Sequence, residues 1–485
     1  MAKLIIPTPL RKYTNNESCF RTNSPTVREA LEALSKEYPE LKTHVFDVDG
    51  NLRSFVKVYV GDDDIEQLEG PDTQLGNEVK VSLVPAIAGG TPDGHRSNGP
   101  NGATATLCKE ELERYSRHLI IPDFNIEGQR KLKTAKVLVV GAGGLGAPLL
   151  QYLAAAGVGT LGIVDFDVVE DTNLQRQVLF TVDDIGKPKV EVAKKRLQAL
   201  NPHITINTFN TQLTSENARD IIDAYDVVAD GTDNFPTRYL VNDACVLLDK
   251  TNIYASIFRF EGQVSVFNYV NKDGNRGPNY RDLFPTPPPP GMVPSCAEGG
   301  VIGVLPGIIG SLQANEVIKV VTGTGEPLSG RLFLFDALSF ETRTLNLTKQ
   351  KKREEITELI DYEAFCGIGQ AEEAANEEEP VRGMTVNELW QLQDRGEEVQ
   401  VIDVREPHEY EIANIGGELI PHKEVEENVN RIATDKKVVV HCRSGARSAE
   451  AIRTLKDKYG FDNLYNLKGG ILAWADEVDE TMAKY

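Results

Sequence analysis

The sequence predicts an α/β protein built from several domains, and three observations lead to that fold class. The chain has 485 residues, more than one domain usually holds. Two stretches are typical of linkers: TPDGHRSNGPNGATAT (91–106) is rich in Gly, Pro, Asn and Thr, and AEEAANEEEP (371–380) has five Glu in ten residues. Around them, short apolar strand patterns alternate with helical patterns. The predicted domains and linkers are 1–90, 91–106, 107–350, 351–382 and 383–485.

The charge and the apolar runs exclude several functional classes. The formal net charge is −21, so neither nucleic-acid binding nor attraction to an anionic membrane is expected. No apolar run approaches the roughly 18 residues of a membrane span, because VIGVLPGIIGSL (301–312) is interrupted by Gly and Pro. The apolar run in MAKLIIPTPLRKYT is too short for a secretory signal. The six cysteines are far apart and form no CxxC pair, which favours reduced thiols in the cytoplasm.

The first segment has the element order of the β-grasp fold. A strand is expected at Lys3–Ile6, and PTVREALEALSKEYP carries apolar residues at helical spacing, with Ser24 as the expected cap. FVKVYV and VKVSLV alternate as half-buried strands. One helix across a small sheet that ends in a strand and a short tail is β-grasp order. That tail, VSLVPAIAGG, ends in Gly89 and Gly90.

The middle segment predicts a doubly wound, Rossmann-like parallel sheet with a nucleotide site. KVLVV, TLGIVD, ITINTF and DVVAD are short strands separated by helical patterns. KVLVVGAGGLGAPLLQYL places glycines in the turn before a helix, whose free N–H groups and dipole attract phosphate. Asp165 ends the second strand, in position to accept from ribose hydroxyls. These features alone fit a dinucleotide dehydrogenase as well as an ATP enzyme. The turn glycines are Gly141, Gly143, Gly144 and Gly146.

Residues further along favour ATP over a nicotinamide dinucleotide. TNLQRQ supplies Asn173 and Arg176, and GKPKVE supplies Lys189. DGTDNFPTR supplies Asp233 and Asn234 just past a strand end, where α/β proteins bind ligands. Cations suit a triphosphate that loses pyrophosphate, and a carboxylate can hold magnesium beside it. Any one of these residues is also typical of a charged surface, so the set and its order indicate ATP and magnesium.

The middle segment closely resembles the MoeB/ThiF group over about Leu107–Lys349, on RYSRHLIIPDFNIEGQRKLKTAKVLVVGAGGLG together with NLQRQ, GKPK and TDN. Members of this group are relatives of ubiquitin-activating enzymes and adenylate the C-terminal glycine of a β-grasp sulfur carrier. The resemblance implies a homodimer in which Arg117 of RYSR reaches into the neighbouring subunit's site. It also implies that catalysis involves Arg117, Arg176, Lys189 and Asp233, with Asp233 on the metal. The implied lining of the ATP–magnesium site is Gly144, Asp165, Asn173, Arg176, Lys189 and Asp233.

The chain departs from that group where many members hold a structural zinc with two CxxC pairs. At the first expected place it has NYRD (279–282), and near the second it has only Cys366 in DYEAFCG. We therefore expect no zinc, and packing alone should hold this core.

A proline-rich stretch predicts a mobile crossover loop that ends at Cys296. PTPPPPGMVPSCAEGG (285–300) cannot form a central strand or a helix. A cysteine in such a loop, taken alone, is more often inert. The resemblance implies instead that Cys296 takes part in thioester or disulfide chemistry with the carrier.

The third segment places a reactive cysteine between a strand and a helix. In VVVHCRSGARSAEAIRTL (438–455), Cys442 follows the strand, and the loop N–H groups, the helix dipole, Arg443 and Arg447 favour the thiolate and a bound anion. A buried structural cysteine is the alternative, disfavoured because a cationic loop is a poor place for burial. Persulfide transfer and phosphate-ester hydrolysis both use this layout, and the C-x4-R spacing, one residue shorter than in cysteine phosphatases, favours sulfur. The loop consists of Cys442, Arg443, Ser444, Gly445, Ala446 and Arg447.

This segment resembles rhodaneses over about Thr385–Trp474, on that loop together with VIDVREPHEYEIANIGG (401–417) and NLKGGILAW (466–474). The resemblance implies a persulfide on Cys442, with Asp403 orienting the loop. The sulfur donor stays open between thiosulfate and a cysteine desulfurase.

The predicted activities of the second and third segments indicate a role for the diglycine of the first segment. An adenylating enzyme and a persulfide domain need an acyl acceptor, and a tail without side chains can thread a narrow passage. VSLVPAIAGG resembles the MoaD/ThiS/CysO sulfur carriers, although Gly89 and Gly90 as a simple hinge would be unremarkable. Because Gly90 is bonded to Thr91, the carboxylate must be freed, by a protease or by the chain itself, in the exposed linker. Otherwise the domain is a tethered inhibitor, or a docking module for free carriers.

The sequence thus predicts an enzyme that adenylates the C-terminal glycine of a ubiquitin-like sulfur carrier with ATP and then transfers sulfur to form a thiocarboxylate. Biosynthesis of cysteine, molybdopterin or thiamine and tRNA thiolation all use such carriers, and the choice among them stays open. The alternatives are a conjugation enzyme that passes a ubiquitin-like domain through Cys296 to an amine, and a dehydrogenase that binds NAD.

Overall fold

A computed structural model describes residues 1–11, 13–15, 17–47, 49–53, 56–61, 63–76, 78–85, 105–288, 299–350, 355–367 and 381–485. The chain divides into two compact units, Met1–Gly99 and Pro100–Tyr485. Gly89, Gly90 and Cys296 lie outside the described residues, as do residues 91–104 of the first predicted linker and 351–354 and 368–380 of the second. The predicted domain boundaries stay a prediction.

The first unit has a mixed sheet with one long helix packed against it. Its sheet order is β2-β1-β5-β3-β4, with β1 and β5 parallel and the other pairs antiparallel. Leu31 and Leu34 of the long helix are buried against Leu4 and Val81 of the sheet. This arrangement confirms the β-grasp prediction. The elements are β1 (Ala2–Ile5), α1 (Thr8–Arg11), β2 (Cys19–Thr22), α2 (Val27–Glu37), α3 (Lys42–Val45), β3 (Val56–Val60), β4 (Asp63–Asp64) and β5 (Lys80–Pro85).

The predicted cap of the long helix is wrong by two residues. Thr26, not Ser24, caps α2, and its hydroxyl accepts from the N–H of Glu29 at 3.3 Å. The Ser24 hydroxyl instead hydrogen-bonds the hydroxyl of Thr22 at 2.7 Å. Both residues are good caps by type, and only the position of the first helical turn distinguishes them.

The second unit begins with an eight-stranded sheet of order β13-β12-β11-β10-β9-β6-β7-β8. The strands from β10 to β8 in that order are parallel, as predicted, and β10 to β13 form an antiparallel extension that the sequence patterns did not reveal. Helices cover both faces of the sheet. The strands are β6 (Lys136–Val140), β7 (Thr160–Val164), β8 (Thr205–Phe209), β9 (Val227–Asp230), β10 (Thr251–Phe258), β11 (Glu261–Phe267), β12 (Arg331–Asp336) and β13 (Glu341–Asn346). The helices are α4 (Lys109–Arg114), α5 (Ser116–Leu119), α6 (Asn125–Thr134), α7 (Gly146–Ala156), α8 (Lys189–Leu200), α9 (Ala218–Asp223), α10 (Phe235–Leu247), α11 (Tyr280–Leu283), α12 (Val304–Thr322) and α13 (Tyr362–Phe365).

The helix α12 corrects the expectation that Gly and Pro interrupt the apolar run after residue 300. Pro306 lies in its first turn, where no N–H is needed for the helical ladder, so the helix continues for 19 residues. By length and composition α12 could cross a membrane. A single helix of this kind is weak evidence for a membrane span, because a buried core helix passes the same test. Its buried Gln313 donates from Nε2 to the carbonyls of Asp230 and Ile253, at 2.7 and 2.8 Å. These contacts with the central sheet are those of a core helix.

The last part of the chain is a five-stranded parallel sheet of order β14-β18-β17-β15-β16. Buried residues of β15 and β17, among them Ile402 and Val440, pack against Ile452 and Leu455 of the predicted helix α16. The strands are β14 (Gly383–Met384), β15 (Val399–Asp403), β16 (Glu418–Leu419), β17 (Lys437–His441) and β18 (Leu464–Leu467). The helices are α14 (Val386–Asp394), α15 (Pro407–Ile412), α16 (Ala446–Tyr459) and α17 (Gly470–Glu477).

Candidate active sites

The glycine turn after β6 requires glycine for two different reasons. Gly141 has a φ of +93°, in the left-handed region that L side chains avoid. A Cβ on Gly146 would lie 2.0 Å from the carbonyl oxygen of Gly141, so any side chain there would push the turn away from α7. The turn therefore brings backbone N–H groups to the start of α7, as an anion site needs.

Asp165, at the end of β7, holds this turn in place. Its Oδ2 accepts from the N–H of Ala142 at 2.7 Å, and its Oδ1 from the N–H of Asp167 at 2.9 Å. Burial raises the pKa of Asp165, and the charge of Lys189 opposes that rise. Each carboxylate oxygen keeps a second lone pair, so the predicted bond to a ribose hydroxyl remains available.

A cavity of about 500 Å³ opens at the carboxyl ends of β6, β7 and β9. This volume lies within the usual range for pockets that hold small ligands. Neither Gly146 nor Arg117 is among the described residues that line the cavity, and Arg117 is exposed on α5. The structure brings nine predicted residues to its wall: Gly141, Gly143, Gly144, Asp165, Asn173, Arg176, Lys189, Asp233 and Asn234.

The charged groups in this cavity differ in how tightly they are held. Lys189 is buried, and its Nζ lies 2.8 Å from Oδ2 of the half-exposed Asp167. Arg176 donates from Nη1 to the carbonyl of Thr172 at 3.0 Å. Asp233 is exposed toward the cavity, whereas the side-chain oxygen of Asn234 caps α10 by accepting from the N–H of Thr237 at 2.9 Å. Of Asp233 and Asn234, Asp233 is thus the one whose side chain is free to bind a metal ion.

Sequence reasoning missed Arg238, which also lines the cavity. Only 8% of Arg238 is exposed, and its Nη2 donates to the carbonyl of Thr232 at 2.9 Å. Its guanidinium carbon lies 5.5 Å from the centre of the Tyr254 ring, and its Nε has no hydrogen-bond partner among the described residues. An arginine on a helix is usually a surface charge, and its position one turn after Asn234 was the only available signal.

An ion pair and two aromatic rings occupy the place where the related group has its zinc cysteines. Arg281 of NYRD donates from Nε and Nη2 to the carboxylate of the buried Asp243, at 2.9 and 2.6 Å. The hydroxyl of Tyr362 donates to the same carboxylate at 2.9 Å, and the Phe365 ring centre lies 4.7 Å from the guanidinium carbon. Burial raises the pKa of Cys366 to about 11, although the charge of Arg281 opposes the rise. Within the residues that the structure describes, no group of three His, Cys, Asp or Glu side chains is placed to hold a metal ion.

Cys442 directly follows β17, as predicted, and leads into the loop before α16. Its Sγ accepts from the N–H of Gly445 at 3.1 Å and lies 3.4 Å from the hydroxyl of Ser448, whose single proton is shared with Oδ1 of Asn466 at 2.7 Å. Gly445 has a φ of +107°, which aims its N–H back at the sulfur. Ser448, one helical turn into α16, was not predicted. These two donors stabilise negative charge on sulfur, which suits a thiolate or a persulfide.

The prediction that a cationic loop is a poor place to bury a cysteine is wrong. Cys442 is only 1% exposed and belongs to the core cluster of this domain. The burial is compatible with the loop because Ser444 and Ala446 face solvent while Cys442 and Gly445 face inward. Sequence patterns do not show this alternation within a six-residue loop.

The charge of Arg447 is matched by a glutamate that the sequence did not indicate. Nη1 and Nη2 of Arg447 donate to the two carboxylate oxygens of Glu409, both at 2.7 Å. Burial raises the pKa of Glu409, but the bonds from Arg447 outweigh it and leave the pKa below its usual range. Glu409 lies in α15, far from the loop in sequence, so only the fold places it there. The net positive charge around Cys442 is therefore smaller than predicted.

Asp403, which was predicted to orient the loop, forms its side-chain hydrogen bonds with Arg405. Its Oδ1 accepts from Nε of Arg405 at 2.8 Å, and its Oδ2 accepts from Nη2 of the same residue. Both residues are fully buried. Oδ2 of Asp403 also lies 3.6 Å from Nε2 of His441, the residue before Cys442. Any influence of Asp403 on the loop is thus transmitted through Arg405 and His441.

Protonation of His441 is expected to destabilise this domain at acidic pH. Burial lowers the pKa of His441 to about 4, although Asp403 opposes the shift. Because the unfolded chain takes up this proton near pH 6.5 and the folded chain only near pH 4, the free energy of unfolding is unaffected above pH 6.5 and falls between the two values. The expected loss at pH 4 is about 3 kcal/mol. Urea unfolding at a series of pH values measures it by intrinsic fluorescence, since Trp390 and Trp474 both lie in this domain.

Two variants decide whether His441 is the cause. His441→Phe should lose this part of the pH dependence, and His408→Gln, at an exposed histidine, should keep it. An unchanged pH dependence in His441→Phe would contradict the assignment.

The folds and sites define a class: an adenylating enzyme with a Rossmann-like nucleotide site, joined to a carrier-like domain and to a persulfide-type sulfurtransferase. Three family models match the chain accordingly: the ThiS family at residues 4–90, the ThiF family at 115–356 and the Rhodanese-like domain at 385–477. These matches confirm the three resemblances found in the sequence.

Proteins named for one or both of these activities are similar to this chain. It is 50% identical over 386 residues to the probable adenylyltransferase/sulfurtransferase MoeZ of Mycobacterium tuberculosis, a match that covers 79% of this chain and 97% of MoeZ. It is 38% identical over 485 residues to the adenylyltransferase and sulfurtransferase MOCS3-2 of Zea mays, covering 95% and 98%. It is 56% identical over 266 residues to the sulfur carrier protein adenylyltransferase of Thermus thermophilus, covering 54% and 98%. Among solved structures, E. coli MccB with ATP is 25% identical, covers 50% of this chain and 73% of its own, and has a TM-score of 0.42.

The chain belongs to the family of adenylyltransferase/sulfurtransferases. It is therefore an enzyme with two activities, adenylyl transfer and sulfur transfer, and membership of the ThiF family implies that its nucleotide is ATP. Its own ThiS-like domain and its rhodanese domain connect it with a sulfur carrier and a sulfur donor.

Proposed function

We propose that this chain adenylates the C-terminal glycine of a ubiquitin-like sulfur carrier and then transfers sulfur to that glycine from a persulfide on Cys442. The observation that carries the proposal is the cavity beside the glycine turn, where Arg176, Lys189 and Asp233 converge from separate parts of the chain. In the reaction, a carboxylate oxygen of the carrier attacks the α-phosphorus of ATP, and pyrophosphate leaves. The product is an acyl-adenylate.

The residues around the cavity fit ATP together with magnesium. The turn N–H groups and the start of α7 suit the phosphates, and Asp165 suits the ribose. Lys189 would exchange Asp167 for a phosphate oxygen, since the two anions compete for one ammonium group. Asp233, with its exposed carboxylate, would hold magnesium, which supplies charge neutralisation for the departing pyrophosphate.

Sulfur transfer then follows in two steps. The terminal sulfur of the Cys442 persulfide attacks the acyl carbon, AMP leaves, and an acyl disulfide forms. The thiolate of Cys296 attacks Sγ of Cys442, which releases the carrier thiocarboxylate and leaves a Cys296–Cys442 disulfide for an external thiol to reduce. The hydrogen bonds from Gly445 and Ser448 to Sγ support the first step. Cys296 lies outside the described residues, so its role rests on the sequence alone.

We propose further that the ThiS-like domain of this chain supplies the carrier glycine after cleavage between Gly90 and Thr91. The match of that domain to the ThiS family ends at residue 90, which supports this assignment. The intact mass of the purified chain, before and after incubation with cell extract, is expected to reveal a fragment that ends at Gly90. A Gly90→Val variant is the matched control and should stay whole. If the parent chain also stays whole, the diglycine is instead a tethered docking or inhibitory tail.

The remaining assignments are a homodimer, no zinc and a cytoplasmic location. An exposed Arg117, away from the cavity of its own chain, favours a role in a neighbouring subunit. The Arg281–Asp243 pair favours a zinc-free core, because a fixed guanidinium disfavours a nearby cation. Light scattering on the purified chain tests the dimer, and metal analysis tests the zinc. A cytoplasmic location, and the absence of nucleic-acid and membrane partners, stay predictions.

A further inference from the structure

Tyr485 lies against the loop that carries Cys442, although 42 residues separate it from Arg443. Nε of Arg443 donates to the main-chain oxygen of Tyr485 at 2.6 Å. The guanidinium carbon of Arg443 lies 5.8 Å from the centre of the Tyr485 ring, within the range of a cation–π contact. Tyr485 therefore holds Arg443 by two independent contacts.

The hydroxyl of Tyr485 reaches the second loop arginine through one intermediate. It accepts from Nη1 of Arg405 and donates to Oε1 of Glu409 at 3.4 Å. Glu409 in turn accepts both terminal nitrogens of Arg447 at 2.7 Å. Burial raises the pKa of Tyr485, so the hydroxyl keeps the proton that it donates. The Tyr485 side chain thus contacts the buried Arg405, the loop residue Arg443, and Glu409, which is the partner of Arg447.

The alternative is that Tyr485 only fastens this end of the chain to the domain. Its contacts argue against that, because they fall on charged side chains rather than on the apolar core: Arg443 follows Cys442, and Glu409 pairs with Arg447. A residue that only anchors the chain would pack into the cluster around Ile402 and Leu455, to which Tyr485 does not belong among the described residues.

We propose that Tyr485 is a positioning residue for sulfur transfer: it holds Arg443 directly, and Arg447 through Glu409, so that their charge is directed at an anion that approaches or sits on Cys442. The proposal rests on the proposed role of Cys442. It concerns the donor-binding step, in which the Cys442 thiolate attacks the sulfane sulfur of thiosulfate, sulfite leaves, and the persulfide anion remains. Removal of the Tyr485 side chain takes away the ring contact to Arg443 and the hydroxyl contact to Glu409, so the loop arginines are held less firmly and anions are attracted less.

The first measurement is persulfide formation by the full chain with thiosulfate as donor. We expect Tyr485→Ala to raise the KM for thiosulfate about tenfold, while kcat changes by less than about threefold, because the variant loses hydrogen bonds to charged groups and not the nucleophile. Both variants keep the main-chain oxygen that accepts from Arg443, and Tyr485→Phe also keeps the ring, so it should lie between the parent and Tyr485→Ala. Tyr459 offers the matched control, since its hydroxyl likewise donates to a glutamate, in this case the exposed Glu426, at 3.3 Å. Tyr459→Ala and Tyr459→Phe should behave as the parent.

The second measurement separates positioning from a general loss of structure. Cys442 is alkylated with iodoacetate, an anion, and with iodoacetamide, its neutral counterpart, and the modified peptide is quantified by mass spectrometry. Positioned arginines favour the anion, so the ratio of the two rates should fall several-fold in Tyr485→Ala and less in Tyr485→Phe. A loosened fold would change both rates together and leave the ratio as it was.

The outcomes distinguish this proposal from the function on which it rests. Parent-like KM and parent-like alkylation ratio in both Tyr485 variants would overturn the positioning role. A KM change of the same size in Tyr459→Ala would do so as well. If the parent chain forms no persulfide on Cys442, the proposed function of the domain fails first. ATP–pyrophosphate exchange should stay unchanged in every Tyr485 and Tyr459 variant, since neither residue lines the nucleotide cavity.

Discussion

Replacing Cys442 by alanine is expected to abolish thiocarboxylate formation and to leave ATP–pyrophosphate exchange at the rate of the parent. The sulfur atom of Cys442 is the only group in its loop that can carry a persulfide, so no neighbouring loop residue can replace it. We expect sulfur transfer to fall by about a thousandfold or more, as is usual when a covalent nucleophile is removed. Exchange needs only the carrier, ATP and the cavity after β6, and none of the described residues that line this cavity belongs to the rhodanese domain.

Two further variants sharpen this test. Cys442→Ser keeps a polar atom for the N–H of Gly445 and the hydroxyl of Ser448, yet cannot hold a sulfane sulfur, so it should be as inactive as Cys442→Ala. Cys366→Ala removes a buried thiol elsewhere in the chain and should retain sulfur transfer. Thiocarboxylate is detected as a mass increase of the carrier on exchange of oxygen for sulfur. Sulfur transfer that persists in Cys442→Ala would refute the persulfide assignment, and isopeptide-linked products would favour a conjugation enzyme.

Replacing Asp233 by alanine is expected to produce the opposite pattern: loss of ATP–pyrophosphate exchange with persulfide formation on Cys442 preserved. Asp233 is an exposed carboxylate at the mouth of the cavity, while the neighbouring Asn234 is engaged as a helix cap. A ligand to magnesium stabilises the charge that develops on pyrophosphate as it leaves. Its removal should reduce exchange by about a hundredfold or more.

The magnesium dependence identifies the cause of that loss. Asp233→Asn keeps the size of the side chain and one oxygen, so it should retain some exchange and require a higher magnesium concentration than the parent. Asp220→Asn, at an exposed aspartate on α9 outside the cavity, is the matched control and should exchange normally. Normal exchange in Asp233→Ala at limiting magnesium would show that another group binds the metal.

Local features of both sites were predictable from the sequence. The strand, the glycine turn and the helix around Gly141–Gly146 form within one short segment, and steric exclusion of a Cβ determines where glycine is required. The same holds for Cys442 and its loop, because a strand followed by a helix determines the direction of the intervening N–H groups. That one cavity brings together Asn173, Arg176, Lys189 and Asp233 was expected from their set and order and from the resemblance to the MoeB/ThiF group, and strand-end geometry indicated it only for Asp233.

Other features depended on contacts between residues far apart in the chain. The antiparallel strands β10 to β13 were missed because their pairing partners, not their composition, define them. The same applies to Pro306, which interrupts an apolar run in the sequence but lies in the first turn of a helix in the structure. Glu409 and Tyr485 are the clearest cases, because nothing near either residue in the sequence indicates that it contacts an arginine of the Cys442 loop.

The sequence by itself determined which three folds this protein has, which chemistry each can perform, and which glycines, cations and cysteine carry that chemistry. Only the tertiary structure decided which of those charges remain free: Arg447 is paired with Glu409, Lys189 with Asp167, and Asn234 with its own helix, whereas Asp233 is exposed. The physical reason is that backbone geometry is largely local, so residue types and spacing predict it. The pairing of charged side chains is decided by the partners that folding brings within a few ångströms, and spacing along the chain does not encode those partners.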